Sequence, residues 1–354
     1  MTTTPTTLAP EAVGSPAEPT PQRRGSLLRA EVHRFSARRF IRWLVLLSVV
    51  AYAIIVTLVG LTQFSKPNAG VLADAERNRD QVVADQEQFH QQCLNDPNRP
   101  SDVPADEVCG PPPTADQFPI EQFIDQPPFR LASNLPNGAI AIGVASALLA
   151  FVIAATYVGA EWSSRSMVAL LFWEPRRIKV MAVKLAVTAA AAALLGVVAQ
   201  AVWWGTAEIL ARTRGDRDKL PVHFWSDLYG QQGRIVLFVV LAALLGFGIA
   251  NLIRNTGASL GVGFVYFAVI ETAVRGFRPR WQEWLLTDNA TGLILNGGHR
   301  IFIYSEQTID EQGNFVDNVP QILISNVQGG LVLGIVTTIV VGSGVLLFKR
   351  RDLH

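Results

Sequence analysis

The sequence has little of what a soluble enzyme or a metalloprotein usually needs. Of its 354 residues only two are cysteine and five are histidine, and the histidines form no cluster with the spacing of metal ligands. There is no Gly-Lys dipeptide, which excludes the G-x-x-x-x-G-K-[ST] loop that binds nucleotide phosphates, and there is no H-E-x-x-H zinc motif. We therefore expect no catalytic residue, no metal and no cofactor bound by this chain itself.

One short motif points to a hydrolase. Gly257-Ala258-Ser259-Leu260-Gly261 matches G-x-S-x-G, but a nucleophile elbow needs a turn from a strand into a helix. This match instead opens a predicted membrane helix, and no histidine or acid stands near it in the sequence. Chance or close helix packing explains the match better than an intramembrane enzyme does.

Charged residues are also scarce, and they are distributed unevenly along the chain. Only 17% of the residues are charged and 49% are hydrophobic. The apolar residues form six blocks of about twenty, the length that crosses a ~30 Å hydrocarbon core as a helix. We predict an all-α membrane protein whose six transmembrane helices lie at 43–62, 138–158, 185–206, 235–253, 257–273 and 329–348.

The distribution of charge predicts that both termini are cytoplasmic. In that orientation the inner segments contain sixteen Lys and Arg against six Asp and Glu, and the outer segments contain fourteen against twenty-two. An excess of positive charge beside span ends marks the cytoplasmic side. The inner segments are 1–42, 159–184, 254–256 and 348–354, and the outer segments are 63–134, 207–234 and 274–328.

The chain before the first span divides into two parts. Residues 1–22 are rich in Thr, Pro, Ala and Glu, and this composition predicts a disordered cytoplasmic tail. Residues 23–42 predict a basic amphipathic helix on the inner membrane surface, because Leu28, Val32 and Phe35 recur at i, i+4 and i+7 among arginines. A second, basic cytoplasmic tail is predicted at 349–354.

The first outer segment, 63–134, holds both cysteines, Cys93 and Cys109. An even pair in an oxidising compartment favours a disulfide. A metal site that includes His90 is the alternative, although three ligands from one stretch are thin evidence. The segment predicts a disulfide-stapled extracytoplasmic structure that either receives a partner or only decorates the outer surface.

The inner segment 159–184 predicts a short helix along the inner interface. Its aromatic residues stand at both ends, Trp162 and Trp173, and Pro175 stops the helix before three basic residues. A docking surface for a partner explains this pattern better than a plain connector does.

Glu271 is the one ionisable residue well inside a predicted span. Intramembrane acids are by default candidates for a substrate pathway or a proton relay. The alternative is a local ion pair, because Arg275 lies at i+4 in the favourable order.

Four stretches together resemble the permease subunits of the bacterial type-2 ABC exporter family, from about residue 26 onward. They are Gly159-Ala160-Glu161 followed by Pro175-Arg176-Arg177 and Lys184, then Leu28–Arg39, Leu244–Ser259 with the hairpin Arg254-Asn255-Thr256, and Phe348-Lys349-Arg350-Arg351-Asp352. Two features depart from the family pattern. Ser166-Met167 stands where the family often has Gly-Thr, and the large outer segment with its cysteines is an elaboration.

The resemblance implies a multi-pass protein of the bacterial plasma membrane that pairs with a second copy of itself or with a related permease. It implies a separate P-loop ATPase subunit that binds ATP and Mg²⁺ and drives export. It also implies contact with membrane lipid and no binding of nucleic acid. The segment 159–184 would then be the coupling helix region. The residues that it assigns to coupling are Glu161, Trp162, Arg165, Met167, Leu170, Leu171, Trp173, Pro175, Arg176 and Arg177.

A different class of protein also fits part of the sequence. A membrane sensor or scaffold that transports nothing would account for the large outer segments, which would bind a ligand or partner. It gives no reason for the helix predicted between the second and third spans.

Overall fold

Among the residues that the computed structural model describes, six helices are long and apolar enough to cross a membrane. The structure describes residues 27–97, 104, 108–216, 219–302, 308–309, 315–316 and 321–350. The predicted tail at 1–22, the start of the predicted interfacial helix at 23–26 and the last four residues of the C-terminal tail lie outside this description. The described residues form the helices α1 (Leu27–Ala37), α2 (Arg39–Thr62), α3 (Ala69–Leu94), α4 (Leu131–Ser163), α5 (Ser166–Trp173), α6 (Arg177–Arg214), α7 (Phe224–Ile253), α8 (Thr256–Phe277), α9 (Leu286–Ile294) and α10 (Asn326–Arg350).

Each predicted span lies within one of the six helices α2, α4, α6, α7, α8 and α10, and three of these, α4, α6 and α7, extend well beyond the predicted ends. The 33 residues of α4 and the 38 residues of α6 correspond to roughly 50 and 57 Å. Nothing between Arg177 and Lys184 interrupts a helix, so α6 continues out of the apolar stretch. The segment 159–184 therefore comprises the end of α4, all of α5 and the first turns of α6.

The centre of the bundle is the packing of α4 against α7. A Cβ added at Gly246 would lie 2.6 Å from the carbonyl oxygen of Phe151, and one added at Gly143 would lie 2.4 Å from Ile235. Small residues at these positions let the two backbones approach closely. The helices α2 and α8 are the least buried of the six, so their apolar side chains face the surroundings of the bundle.

The connecting structures divide between the two ends of the bundle. One end carries α1, α5, the turn between α7 and α8 and the last turn of α10. Hydrogen bonds there join Arg38 to Glu161, Trp162 to Asn251, and Arg177 to Phe348. The other end carries α3, α9 and short strands: β1 (Phe129–Arg130) pairs in parallel with β2 (Gly215–Asp216), and β3 (His299–Phe302) pairs antiparallel with β6 (Gln321–Ile324). Two further strands, β4 (Thr308–Ile309) and β5 (Phe315–Val316), are antiparallel.

The predicted disulfide is confirmed. Cys93, at the end of α3, is bonded to Cys109, and their Cα atoms are 5.8 Å apart. His90 faces the same loop, but its Nδ1 lies 3.3 Å from the carbonyl oxygen of Cys109. The sulfur atoms are therefore used in a covalent bond rather than as ligands of a metal.

Candidate functional site

A fully buried lysine joins three helices at the end of the bundle that carries α5. The Nζ atom of Lys184 on α6 lies 2.7 Å from Oε2 of Glu31 on α1 and 2.7 Å from Oε2 of Glu161 on α4. The side chains of Lys184 and Glu31 are both 0% exposed. We call Glu31, Tyr157, Glu161, Lys184 and Arg38 the ion cluster.

The other two members complete the hydrogen bonding and balance the charge. The hydroxyl of Tyr157 donates to Oε2 of Glu31 at 2.5 Å, and Arg38 donates to Oε1 of Glu161 at 2.8 Å. The guanidinium of Arg38 also lies 4.9 Å from the centre of the Tyr157 ring. Two carboxylates thus face two cations. That balance is needed because an uncompensated buried charge is far more costly than a paired one.

Glu31 is held in its ionised form. Burial raises the pKa of its carboxyl, but the hydrogen bond and positive charge of Lys184, the hydrogen bond from Tyr157 and the charge of Arg34 outweigh burial. The net effect lowers the pKa below its ordinary value of 4.5. At neutral pH the attachment of α1 to α4 and α6 is therefore an ionic one.

A break in the helix at Arg38 allows this attachment. Arg38 has φ −68° and ψ 118°, which is extended backbone, so α1 ends before α2 begins and can turn against the bundle. Glu31, Phe35 and Arg38 are spaced i, i+4 and i+7 and face α4, where the Phe35 ring packs edge-on to Tyr157 at 5.0 Å. Leu28 and Val32 remain half exposed on another face, so α1 has an apolar side that does not touch the bundle.

Trp162 forms a second set of contacts immediately after Glu161. Its ring nitrogen donates to Oδ1 of Asn251 on α7 at 3.1 Å, and the guanidinium of Arg254 lies 4.2 Å from the ring centre. The ring also meets the buried Phe348 of α10 edge-on at 5.7 Å. Glu161 and Trp162 therefore attach the end of α4, just before α5, to α6 on one side and to α7 and α10 on the other.

The short helix α5 has a buried side and a strongly exposed end. Met167 and Leu170 are buried, whereas Phe172 and Trp173 are 86% and 88% exposed. A cleft of about 460 Å³ separates α5 from α1. After α5, Lys179 donates to the carboxylate of Glu174 at 2.8 Å and lowers the pKa of that carboxyl.

The residues assigned to coupling do not form one continuous surface. Trp162, Leu171 and Arg177 are half-buried, and Arg165, Trp173, Pro175 and Arg176 are exposed. Glu161, Met167 and Leu170 are buried within the bundle end, so these three can act on a partner only through their neighbours. Arg177 donates to the carbonyl oxygen of Phe348 at 3.3 Å and so ties the start of α6 to α10.

Glu271 lies at the other end of the bundle and is also buried. Its carboxylate accepts a hydrogen bond from the backbone nitrogen of Thr287 at 3.1 Å and another from the Thr287 hydroxyl. Arg275 lies 3.7 Å from Glu271 and 2.9 Å from Asp288. The carboxylate therefore satisfies the first turn of α9, a favourable position for negative charge.

Sequence reasoning missed Glu31 and Tyr157, and it used Lys184 only as a mark of the third span. Glu31 stands among arginines, which makes it look like part of a solvated face. A signal was present nonetheless, since Lys184 directly precedes an apolar span and a charge there requires a partner.

Comparison with known proteins does not assign the chain to a family. No protein-family model, no curated protein and no solved structure matches it.

Proposed function

We propose that this chain is the membrane-spanning permease subunit of an ATP-binding cassette exporter, that it works as a dimer, and that a separate ATPase subunit drives it. The observation that carries the proposal is the construction of α5. This helix exposes Phe172 and Trp173, and it directly follows the end of α4, where Glu161 contacts α6 and Trp162 contacts α7 and α10. An exposed aromatic pair is a typical anchor in a protein interface.

This arrangement provides a way to transmit a mechanical force from a partner of α5 to the membrane helices. A partner that presses on α5 would move the end of α4, and the ion cluster and Trp162 would carry α1, α6 and α10 with it. Packed helices respond to such a force by rigid-body movement rather than by local bending. The weakly buried α2 and α8 supply apolar faces for a second copy of the chain or for lipid.

The first experiment is isolation of the protein from its native membrane in mild detergent, scored for a P-loop ATPase that co-purifies. We expect the ATPase with the wild-type chain and its loss from the double variant Phe172→Ala, Trp173→Ala. The matched control is Phe277→Ala, Trp281→Ala, a second exposed aromatic pair at the opposite end. Absence of any ATPase under conditions that preserve other membrane complexes would reject the proposal.

The proposed orientation places α5 in the cytoplasm and α3 outside. A single cysteine at Trp173 should react with a membrane-impermeant maleimide only after the cells are opened. A cysteine at Val222, which is 94% exposed at the opposite end, should react in intact cells. The native cysteines do not interfere because both are in the disulfide.

A sensor or scaffold is the second candidate, and the outer segment is the observation that favours it. A polar cleft of about 780 Å³ lies between α3 and the loop that precedes β1, and Asp74, Arg77, Phe123 and Asp125 are among the residues lining it. If no ATPase co-purifies, ligand binding to this cleft is the next measurement.

A further inference from the structure

A basic cleft lies at the start of α2, next to the bend that separates this helix from α1. Its lining residues share one face of α2, at positions i, i+3, i+4 and i+7, and they are Arg39, Arg42, Trp43 and Leu46. The cleft is open and has a volume of about 290 Å³. One water molecule needs only about 10–15 Å³ of such space, so the cleft has room for a phosphate group and its glycerol.

Both arginines of the cleft are exposed and have hydrogen-bond donors to spare. Nη2 of Arg42 donates to the carbonyl oxygen of Ala37, the last residue of α1, at 2.8 Å, which holds this guanidinium at the bend. Among the residues that the structure describes, Arg39 has no hydrogen-bond or ion-pair partner, and no carboxylate pairs with Arg42. A guanidinium carries five N–H donors, so an oxyanion in the cleft can accept several hydrogen bonds.

The chain supplies no negative charge to this cleft. The sequence contains no Asp or Glu from residue 32 to residue 73, and the cleft lining contains none. The two acids of the ion cluster, Glu31 and Glu161, are buried and already face Lys184. Two guanidiniums thus stand together without a carboxylate of the described chain, and an anion that accepts hydrogen bonds from both is the ligand that fits them.

The position of the cleft indicates that this anion is a lipid headgroup. Its arginines lie one and four residues before the first predicted span, which begins at 43, and therefore within roughly 6 Å of the apolar stretch. The same face continues with Trp43 and Leu46, which are 67% and 51% exposed, and tryptophan is enriched where headgroups meet acyl chains. The exposed Val50 and Ile54 extend this apolar face by two turns. A soluble anion would leave that face uncovered, whereas acyl chains would cover it.

We propose that this cleft binds one anionic phospholipid, such as phosphatidylglycerol, whose phosphate accepts hydrogen bonds from Arg39 and Arg42 and whose acyl chains lie along α2. The site goes beyond the proposed export function and does not depend on it. A zwitterionic phospholipid fits less well, because its headgroup ammonium would face two guanidiniums in a cleft whose lining contains no carboxylate.

The test is native mass spectrometry of the purified full chain, delipidated in detergent and titrated with phosphatidylglycerol or with phosphatidylcholine of the same acyl chains. We expect one tightly bound phosphatidylglycerol per chain and about tenfold weaker binding of phosphatidylcholine. The double variant Arg39→Gln, Arg42→Gln should weaken phosphatidylglycerol binding about tenfold. The matched control, Arg165→Gln, Arg176→Gln, removes two exposed arginines at the same end but outside the cleft and should leave binding unchanged.

Three results would overturn the proposal. The first is equal affinity of the wild-type chain for the two phospholipids, a comparison that does not depend on the folding of any variant. The second is an equal loss of binding in both double variants, which would mean that only the total charge of this end matters. The third is displacement of phosphatidylglycerol by inorganic phosphate at equal concentration, which would identify a site for soluble anions instead. The unfolding temperature and gel filtration of each variant distinguish lost binding from lost folding.

Discussion

Lys184 and Glu31 stand 153 positions apart in the chain and form an ion pair of 2.7 Å in which neither side chain is exposed to solvent. Glu161 shares the same ammonium group from the other side. A buried charge in this position is stable only when it is paired. The attachment of α1 to the bundle therefore depends on Lys184, Glu31 and Glu161 together.

Removing the lysine should therefore be costly. Lys184→Met leaves Glu31 and Glu161 buried without their common cation, and we expect a loss of about 3–5 kcal/mol in the free energy of unfolding. Equilibrium unfolding by SDS in mixed micelles measures it. Lys179→Met, which breaks the exposed pair with Glu174, is the matched control and should change stability little. Equal effects of the two substitutions would contradict the structure.

The ionic attachment of α1 should fail in acid. Because the pKa of Glu31 is lowered in the folded state, its contribution to stability is complete above the ordinary value of 4.5 and is lost as the pH falls through the lowered pKa. The unfolding temperature should keep the Glu31 contribution down to about pH 5 and lose it below that. Near pH 7 the Glu31→Gln variant should unfold at a lower temperature than the wild type. In acid, the unfolding temperatures of the two proteins should approach each other. A constant difference across the whole range would count against a lowered pKa.

Glu271 should behave as part of the protein scaffold at α9. The variants Glu271→Gln and Thr287→Val each weaken the same hydrogen-bonded contact, and we expect each to cost about 1–3 kcal/mol. The double variant should cost less than the sum, which a double-mutant cycle measures. If Glu271→Gln leaves stability unchanged and impairs export, the predicted role in a substrate pathway would be the better explanation.

The contact between α4 and α7 should tolerate no side chain at Gly246. Gly246→Ala would place a Cβ 2.6 Å from the carbonyl oxygen of Phe151, so the helices must separate at a cost of about 1–3 kcal/mol. Gly261→Ala is the control, since nothing lies within 4 Å of the added atom. Alanine favours a helix over glycine, so the control should be neutral or slightly stabilising. The measurement is the free energy of unfolding of each variant relative to the wild type. Equal changes for Gly246→Ala and Gly261→Ala would contradict the close contact.

The sequence by itself determined the six membrane helices and the disulfide. A helix in lipid satisfies its own backbone hydrogen bonds, so an apolar run of about twenty residues determines the element without help from the rest of the chain. The disulfide required no choice, because Cys93 and Cys109 are the only two cysteines. The sequence also indicated a short helix that ends at Trp173 before Pro175, but Trp162, its predicted other end, belongs to α4 in the structure.

Only the tertiary structure decided which charges are buried and what they touch. The N-terminal segment is rich in arginine, and its pattern does not distinguish a solvated Glu31 from one in contact with Lys184. Glu271 does pair with Arg275 on its own helix, as the sequence predicts, but its hydrogen bonds go to Thr287 on α9. Glu31 and Lys184 come from distant parts of the chain, and Glu271 and Thr287 from two different helices. The packing of helices brings each pair together, so no local pattern of residues predicts the contact.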